Sequence, residues 1–397
     1  MVRFAHLADC HLGAWRNDSL RNLTLESFSC AIDICIEQKV SFIIIAGDLF
    51  HTAIPRIDVL KTAARCLQSV ARAGIPVYVV PGSHDYSPTG RTILDVFEEA
   101  GLLISVCRAD LSAEKIVLDP VVHPSGISLV GLPGKAAQLD SVLYERLDIQ
   151  AVSSLCSPKI FVFHAALDEL TPKNLRGSSS SSVSLLPQGF DYYAGGHVHL
   201  KNDISLPSYG RIAYPGPTFP ASFSELESLH HGSFLIADST DWSLSRIPLP
   251  LKKVVSFSLC VDGLSAQAAF ASLSEQIAAS QLTDCIVLIR VYGTLSSGSG
   301  ADISFQELFS ACMAKGAFVC LKNTFSLSSQ QFTAKPFSRE DADVSVIENT
   351  VFSSFASDDS EKRLFVALRS ALSQPIADGE TKSDYEQRII SSVQSLL

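Results

Sequence analysis

The sequence predicts an α/β fold in which two sheets stack between helices, followed by a small α+β domain and a C-terminal helical hairpin. Short apolar runs of strand composition alternate with helix-like segments up to about residue 240, an order typical of α/β domains. A shorter β-α-β-α-β series follows Pro248-Leu249-Pro250, and two amphipathic helix patterns close the chain. These changes of pattern predict the domain boundaries.

The first domain is predicted over residues 1–248. Its expected strands are Val2–Ala8, Phe42–Ala46, Val77–Val80, Ser128–Leu132, Ile160–Phe163 and Tyr192–Ala194. Helices are expected over Leu23–Gln38 and Arg56–Ala73, because apolar residues recur three and four positions apart. Gly74-Ile75-Pro76 ends the second helix in the usual way, with a glycine followed by a proline.

A second, smaller domain is predicted over residues 251–327. Its expected elements alternate as strand, helix, strand, helix and strand, over Lys252–Val261, Ser265–Ser280, Asp284–Tyr292, about Ser304–Lys315 and near Phe318–Lys322.

Residues 328–358 are predicted to be a linker, and residues 359–397 a hairpin of two amphipathic helices. A hairpin of this size buries little apolar surface by itself, so it docks on a partner or packs on the domain. Docking on a partner is favoured.

Composition excludes several classes of protein. With 47% hydrophobic and 18% charged residues, the 397-residue chain is long and apolar enough for two or three packed domains. No apolar run approaches the roughly 18–20 residues of a membrane span, so no membrane association is expected. Met1–His6 lacks the features of a signal peptide, so the cytoplasm or a nucleus is expected, with association with the nucleoid in a prokaryote. The ten cysteines form no C-x-x-C pair and are expected to be reduced.

The net charge of −10 argues against a uniformly basic nucleic-acid-binding protein. DNA remains possible as a substrate, since carboxylates that hold metal ions count as acidic until the ions bind.

Five apolar runs end in residues that commonly ligate metals. These residues are Asp9 and His11, then Asp48, then His84 and Asp85, then His164, then His197 and His199. Loops at the carboxyl ends of strands are where open α/β folds place their sites. One such histidine alone is more often a plain hydrogen-bonding residue, but five of the chain's ten histidines occupy these positions. Mixed carboxylate and imidazole ligands suit Mn, Fe or Zn better than Ca.

This order of motifs resembles the calcineurin-like metallophosphoesterase superfamily, whose fold is a two-sheet α/β/β/α sandwich. The flanking sequences FAHLADCHLG, IIIAGDLFH, PGSHDYSPTG and GGHVH, with the later YPGP, are similar to the SbcD-type double-strand-break repair nucleases. The archaeal and eukaryotic members of that group are the meiotic recombination eleven nucleases. The resemblance is strong over about the first 240 residues and rests on element order beyond them.

The resemblance implies two Mn²⁺ ions per subunit. One ion is assigned to Asp9, His11 and His199, with Asp48 bridging both ions. The second is assigned to Ser83, His164 and His197. Ser83 departs from the family, which usually has an asparagine there, so the second site is expected either to use a water as ligand or to hold its ion less tightly.

His84 is expected to act as a catalytic group rather than a ligand, donating to a phosphate oxygen or to the leaving oxygen. Asp85 either orients a neighbour or has only a structural role in the turn. Candidate DNA-binding residues are His51, Arg16, Arg56 and Arg91, with Lys173, Arg176 and Lys201 as further basic positions. Surface basic residues are more often simply solvated, and so is a single exposed histidine such as His51.

The resemblance also implies partners. Residues 251–327 correspond to a capping domain, and the terminal hairpin to the binding site for an SMC-like ATPase of the SbcC/Rad50 type. A homodimer is expected through the segments Arg56–Ala73 and Thr92–Ala100.

The function expected from these features is a manganese-dependent DNA nuclease subunit with 3′–5′ exonuclease and single-strand endonuclease activity. One alternative is a small-substrate phosphodiesterase or phosphatase of the same superfamily, although such an enzyme needs neither the extra domain nor the hairpin. Another is a non-catalytic scaffold that positions DNA, which only Ser83 favours.

Overall fold

Two six-stranded sheets are the central layers of the first 249 residues in the computed structural model. The structure describes residues 2–87, 90–134, 139–153, 155–171, 182–330, 359–375 and 382–394. The strands are β1 (Arg3–Leu7), β2 (Phe42–Ala46), β3 (Val77–Val80), β4 (Ile104–Ser105), β5 (Val121–Val122), β6 (Ser128–Leu132), β7 (Lys159–His164), β8 (Tyr192–Gly196), β9 (Asn202–Ser205), β10 (Arg211–Tyr214), β11 (Gly232–Asp238) and β12 (Leu244–Leu249).

Both sheets have parallel centres; the first is antiparallel only on its β11–β12 side, and the second at both edges. The first has the order β12-β11-β1-β2-β3-β4, and β1 to β4 run parallel. The second has the order β5-β6-β7-β8-β10-β9, with β6, β7, β8 and β10 parallel. Because parallel strands end at the same edge of a sheet, the loops after β1, β2, β3, β7 and β8 can form one site.

Side-chain alternation along the strands creates the layers. In β2, Phe42 and Ile44 point into the core between the sheets, while Ile43 and Ile45 point towards the helices. Helices α1 (Asp18–Glu37) and α2 (Ile57–Arg72) cover the first sheet, and the second sheet has its own outer core. The predicted two-sheet sandwich is confirmed.

The remaining helices of this part are short. They are α3 (Leu94–Glu99), α4 (Leu139–Glu145), α5 (Ile149–Ser153) and α6 (Phe223–Leu229). Helix α1 begins five residues before its predicted start, because the Asn17 side chain accepts a hydrogen bond from the Leu20 backbone N–H at 3.1 Å and caps the helix there. In the segment Thr92–Ala100, which is predicted to take part in a dimer interface, only the residues of α3 are helical.

A third, smaller sheet follows, and all of its pairings are parallel. Its strands are β13 (Lys253–Cys260), β14 (Cys285–Leu295), β15 (Val319–Asn323) and β16 (Leu327–Ser329), with helices α7 (Ala266–Ala279) and α8 (Phe305–Ala314). One face packs on the helices. The other face contributes Ile286, Leu288 and Val319 to a cluster with Leu226 of α6.

Residues Met1–Gln331 form one compact unit and Phe332–Leu397 a second. Strand β16 extends to Ser329, so the predicted start of the linker at residue 328 falls within the third sheet. The rest of the predicted linker, from residue 331 to 358, lies outside the described residues. The second unit contains helices Asp359–Leu372 and Lys382–Gln394, close to the two predicted helices. None of the helices described is both long and apolar enough to cross a membrane.

The packing in the core between the sheets allows the loss of stability on replacing Phe42 to be predicted. Phe42 is fully buried and stacks on Phe4 at 4.8 Å between ring centroids. We expect Phe42→Ala to reduce the free energy of unfolding by about 3–5 kcal/mol, because a large cavity would remain. Urea unfolding followed by the fluorescence of Trp242, whose ring lies 6.3 Å from Phe4, measures the loss.

The matched control is Phe325→Ala, because Phe325 is 96% exposed. We expect this change to alter stability by less than about 0.5 kcal/mol. Equal effects of the two changes would contradict the packing described for Phe42.

Candidate metal centre

The site assembles from five strand ends. Asp9 and His11 follow β1, Asp48 follows β2, and Ser83 and His84 follow β3 in the first sheet. In the second sheet, His164 is the last residue of β7, and His197 and His199 follow β8. The topology therefore brings the sequence-predicted residues to one seam between the two sheets.

Asp9, His11 and His199 form one cluster whose ligand atoms lie within 4.8 Å of one another. The Nε2 atoms of His11 and His199 are 2.9 Å apart, and His199 Nε2 lies 3.8 Å from Asp9 Oδ1. These are the three residues that the family resemblance assigns to one ion. The assignment remains a prediction.

Asp9, Asp48 and His164 form a second cluster within the same limit. His164 Nε2 lies 3.2 Å from Asp48 Oδ2, and His164 Nδ1 lies 3.9 Å from Asp9 Oδ1. Asp48 Oδ2 is also 3.7 Å from His11 Nε2. Asp48 thus stands between the histidines of the two clusters, a position suited to a bridging ligand.

The buried charges of the site fit divalent cations. Asp9 and Asp48 are 0% and 2% exposed, and within the described chain their ion pairs are with histidines alone. Burial raises the pKa of Asp9. Burial opposes protonation of His164, but the Asp48 carboxylate outweighs it and raises the pKa of His164 to about 10. A proton on His164 supplies positive charge that a bound cation would otherwise provide.

Backbone strain marks the same residues. Asp9, His11, Asp48 and His197 have φ values of 50°, 42°, 51° and 89°. Such positive values are unfavourable for residues with a Cβ atom and persist where the surrounding structure requires them. Six other described non-glycine residues also have positive φ, and Asp and His adopt it more readily than most residues, so the strain supports a functional site only together with the clustering of these side chains.

Gly82 lets the backbone of the loop after β3 approach Asp48 closely. A Cβ atom on Gly82 would lie 2.2 Å from Asp48 Oδ1 and 2.3 Å from the Asp48 backbone nitrogen. The loop after β3 can reach Asp48 only without a side chain at this position.

The loop after β3 holds Asp48 and places His84 beside it. The His84 backbone N–H donates to Asp48 Oδ1 at 2.8 Å, and the Ser83 hydroxyl donates to Asp48 Oδ2 at 3.4 Å. Exposed His84 donates from Nδ1 to the His51 carbonyl at 2.9 Å. The His84 ring lies 4.9 Å from that of His11.

His51 is half-buried and stacks on the His84 ring at 5.3 Å, so it is not the isolated exposed residue that the sequence alone favours.

His197 contacts both clusters. Its backbone N–H donates to both oxygens of Asp9, at 2.9 and 3.1 Å, and its ring lies 5.2 Å from that of His164. Burial lowers the pKa of His197 to about 4, so its neutral ring can act as a ligand near neutral pH.

Asp85 has a structural role. Its fully buried carboxylate accepts hydrogen bonds from the backbone N–H groups of Leu49, Phe50 and Gly82, at 3.3, 3.0 and 2.9 Å. These bonds tie the loop after β2 to the loop after β3. Of the two roles left open for Asp85, the structure favours the structural one.

Glu225, in helix α6, is a site residue that sequence reasoning missed. Its Oε2 lies 3.1 Å from His199 Nδ1. The pattern Ser222-x-x-Glu225 is a capping-box signature that could have identified the start of α6. No local signal connects that carboxylate to a histidine 26 positions earlier in the chain (225 − 199).

The candidate DNA-binding arginines lie at exposed loop positions. Arg16 precedes α1, Arg56 precedes α2 and pairs with Asp58 at 3.1 Å, and Arg91 precedes α3. Lys201 is instead half-buried, with its ammonium donating to the His231 carbonyl at 2.9 Å, so it already has a structural contact. Lys173 and Arg176 lie outside the described residues.

Comparison with known proteins agrees with this geometry. The sequence pattern of the calcineurin-like phosphoesterases matches residues 2–201, about half of the chain. The chain belongs to this family. Membership of the calcineurin-like phosphoesterase family implies divalent-metal binding, and the clusters described above are the candidate sites.

This phosphoesterase is similar to proteins named for double-strand break repair. It is 28% identical to the DNA double-strand break repair protein Mre11 of Archaeoglobus fulgidus, over 54% of this chain and 49% of that protein. Identity to the Mre11 of Saccharolobus solfataricus is 30%, over 65% and 67% of the two chains. Identity to the double-strand break repair protein mre-11 of Caenorhabditis elegans is 25%, over 64% and 41%. The resemblance inferred from the motifs is confirmed.

The aligned region spans about half to two thirds of the length of these archaeal relatives.

Ser83 allows a test of the second cluster. We expect Ser83→Asn to tighten Mn²⁺ binding or leave it unchanged, because an amide oxygen reaches further than the hydroxyl and is a better neutral ligand. Calorimetric titration of metal-free protein with Mn²⁺ measures the affinity. A marked loss of binding would show that Ser83 does not face the ion.

Proposed function

We propose that this phosphoesterase is a manganese-dependent DNA nuclease, with 3′–5′ exonuclease and single-strand endonuclease activity. The observation that carries the proposal is the pair of clusters sharing Asp9, with Asp48 between their histidines and exposed His84 beside them. Two ions bound there would activate water and neutralise charge on the phosphate. The names of the relatives support DNA as the substrate.

The chain's own residues would orient the reaction. The Asp48 carboxylate is held by the His84 backbone N–H at 2.8 Å, so its position does not depend on substrate. The His51 carbonyl accepts the Nδ1 proton of His84 at 2.9 Å and fixes the ring. When the His84 ring is protonated, its Nε2 retains a proton that it can donate to a phosphate oxygen or to the leaving oxygen.

The proposal extends to partners and location. The C-terminal helices, with Leu372 60% and Ile390 55% exposed, would bind an SMC-like ATPase of the SbcC/Rad50 type. Exposed Ile57 in α2 and Val96 in α3 support a homodimer through these helices. Residues 251–327 would act as a capping domain over DNA. The protein would act in the cytoplasm, at the nucleoid in a prokaryote.

The nuclease proposal is tested with three substrates and Mn²⁺: a labelled duplex, a single-stranded DNA circle and bis-p-nitrophenyl phosphate. We expect the wild-type protein to cleave DNA, and His84→Ala to lower that rate by about 10²–10⁴-fold while retaining Mn²⁺ binding. The control is His123→Ala, because His123 contacts the ring of Phe42 at the opposite end of β2 from the site and should not affect cleavage.

The substrates also separate the alternatives. Turnover of the small ester without DNA cleavage would replace the nuclease with a small-substrate phosphodiesterase. DNA binding with no turnover of any substrate would leave a scaffold.

The partner proposal is tested by deleting the residues after about 355, in the second compact unit. We expect the truncated protein to lose association with the ATPase, measured by size-exclusion chromatography of the mixture, and to keep its basal nuclease rate, since the clusters lie in the first unit. Association that survives the deletion would exclude the hairpin as the binding site.

A further inference from the structure

Helix α6 lies between the metal centre and the third sheet. It is seven residues long, and its N-cap is Ser222, whose hydroxyl accepts a hydrogen bond from the Glu225 N–H at 3.2 Å. The Glu225 carboxylate accepts hydrogen bonds from the Ala221 N–H at 2.9 Å and from the Ser222 hydroxyl at 3.0 Å. Its own helix therefore holds the carboxylate in one orientation before any contact with the site.

That orientation directs Glu225 at a predicted metal ligand. Its Oε2 lies 3.1 Å from His199 Nδ1, while His199 Nε2 faces Asp9 at 3.8 Å and His11 at 2.9 Å. A carboxylate on Nδ1 keeps the proton on that nitrogen and leaves the Nε2 lone pair for an ion. It also fixes the plane of the ring, which decides whether Nε2 points into the cluster.

A second contact ties the same loop to the other end of α6. The Lys201 ammonium donates to the carbonyl of His231, two residues beyond the helix, at 2.9 Å. The loop that carries His199 is thus held at both ends of one short helix, so a shift of α6 would move the ligand.

The opposite side of α6 is bound to the third sheet. Arg290 of β14 donates from Nε to both oxygens of Glu227, each at 3.0 Å, and from its terminal nitrogen at 2.6 Å. The same guanidinium lies over the ring of Phe223 at 5.1 Å. Buried Leu226 packs with Ile286 and Leu288 of that sheet. Leu226 and Glu227 of α6 thus contact the third sheet, while Glu225 contacts a histidine of the metal centre.

We propose that Glu225 is a positioning residue for His199, and that α6 makes divalent-ion affinity depend on contact with the third sheet. The inference rests on the proposed metal site and adds to it a residue outside the predicted ligand set. Any change that displaces the third sheet from α6 would weaken the ion held by Asp9, His11 and His199.

The competing explanation is that Glu225 only caps α6. The two explanations differ in what is lost. A cap contributes to folding stability, whereas a carboxylate that orients a ligand typically changes metal affinity by about 10- to 100-fold. Measurements of metal binding and of thermal stability on the same variants therefore distinguish them.

The test uses calorimetric titration of the full chain with Mn²⁺ alone and the electron paramagnetic resonance spectrum of the bound ion. We expect Glu225→Ala to weaken the tighter site by about 10- to 100-fold and to alter the spectrum. Glu225→Gln keeps an oxygen that can accept from His199 and should lose less affinity. The control is Ser222→Ala, which removes the cap hydroxyl but keeps the Glu225–His199 contact, so it should lower the melting temperature while weakening Mn²⁺ binding less than Glu225→Ala does.

A matched pair of variants tests the coupling between α6 and the third sheet. Glu227→Gln removes the charge that binds Arg290, and Asp203→Asn removes a comparably exposed carboxylate that binds Arg211 in the second sheet. We expect only Glu227→Gln to weaken Mn²⁺ binding. Equal Mn²⁺ affinity of these two variants would overturn the coupling.

The possible failures are distinct. If the wild-type chain binds Mn²⁺ and Glu225→Ala binds it equally well, the positioning role is wrong and the proposed metal site stands. If the wild-type chain binds no Mn²⁺, the proposed function and this inference both fail.

Discussion

Two buried carboxylates at the seam between the sheets are the feature on which the arrangement of the large domain depends. His164, at the end of the second sheet, donates from Nδ1 to the Ala46 carbonyl of the first sheet at 2.9 Å and contacts Asp48 through Nε2. The His197 backbone N–H crosses the same seam to Asp9. Removing two carboxylates from water is unfavourable unless positive charge and hydrogen bonds compensate. The alignment of the sheets and the compensation of charge therefore depend on the same contacts.

That requirement explains why the site tolerates strained backbone. The loops after β1, β2 and β8 must turn sharply to bring Asp9, Asp48 and His197 inward, and each of these residues has a positive φ. Here the stacked sheets and the shared carboxylates hold the loops in place. The folded domain thus brings the predicted metal ligands together without the help of an ion or a substrate.

The site also depends on elements outside the motif. Asp85 supports the loop around Asp48 through backbone hydrogen bonds, and Glu225 contacts His199 from a helix that packs against the third sheet. Ser83 differs from the usual asparagine, and its hydroxyl donates to Asp48, so it supports the carboxylate even if it is a poor ligand. The sheets place the carboxylates, and the surrounding helix and loops set the orientation of individual groups.

The sequence by itself determined the parallel strands β1, β2, β3, β6, β7 and β8 and the residues at their ends, but not β10 and β11, which lie inside the same sheets. Runs such as Phe42–Ala46 are apolar on both faces, and the Gly-Asp and Gly-His turns that follow them are local signals. Edge strands such as Asn202–Ser205 were missed because they are short and partly polar, and their pairing depends on a neighbouring strand.

Only the tertiary structure decided that His51 stacks on His84 and that Glu225 reaches His199. Hydrophobic periodicity records which face of an element is buried. It does not record which residue of a distant segment packs against that face, because that contact depends on how the two large sheets and the third sheet are arranged in the folded chain.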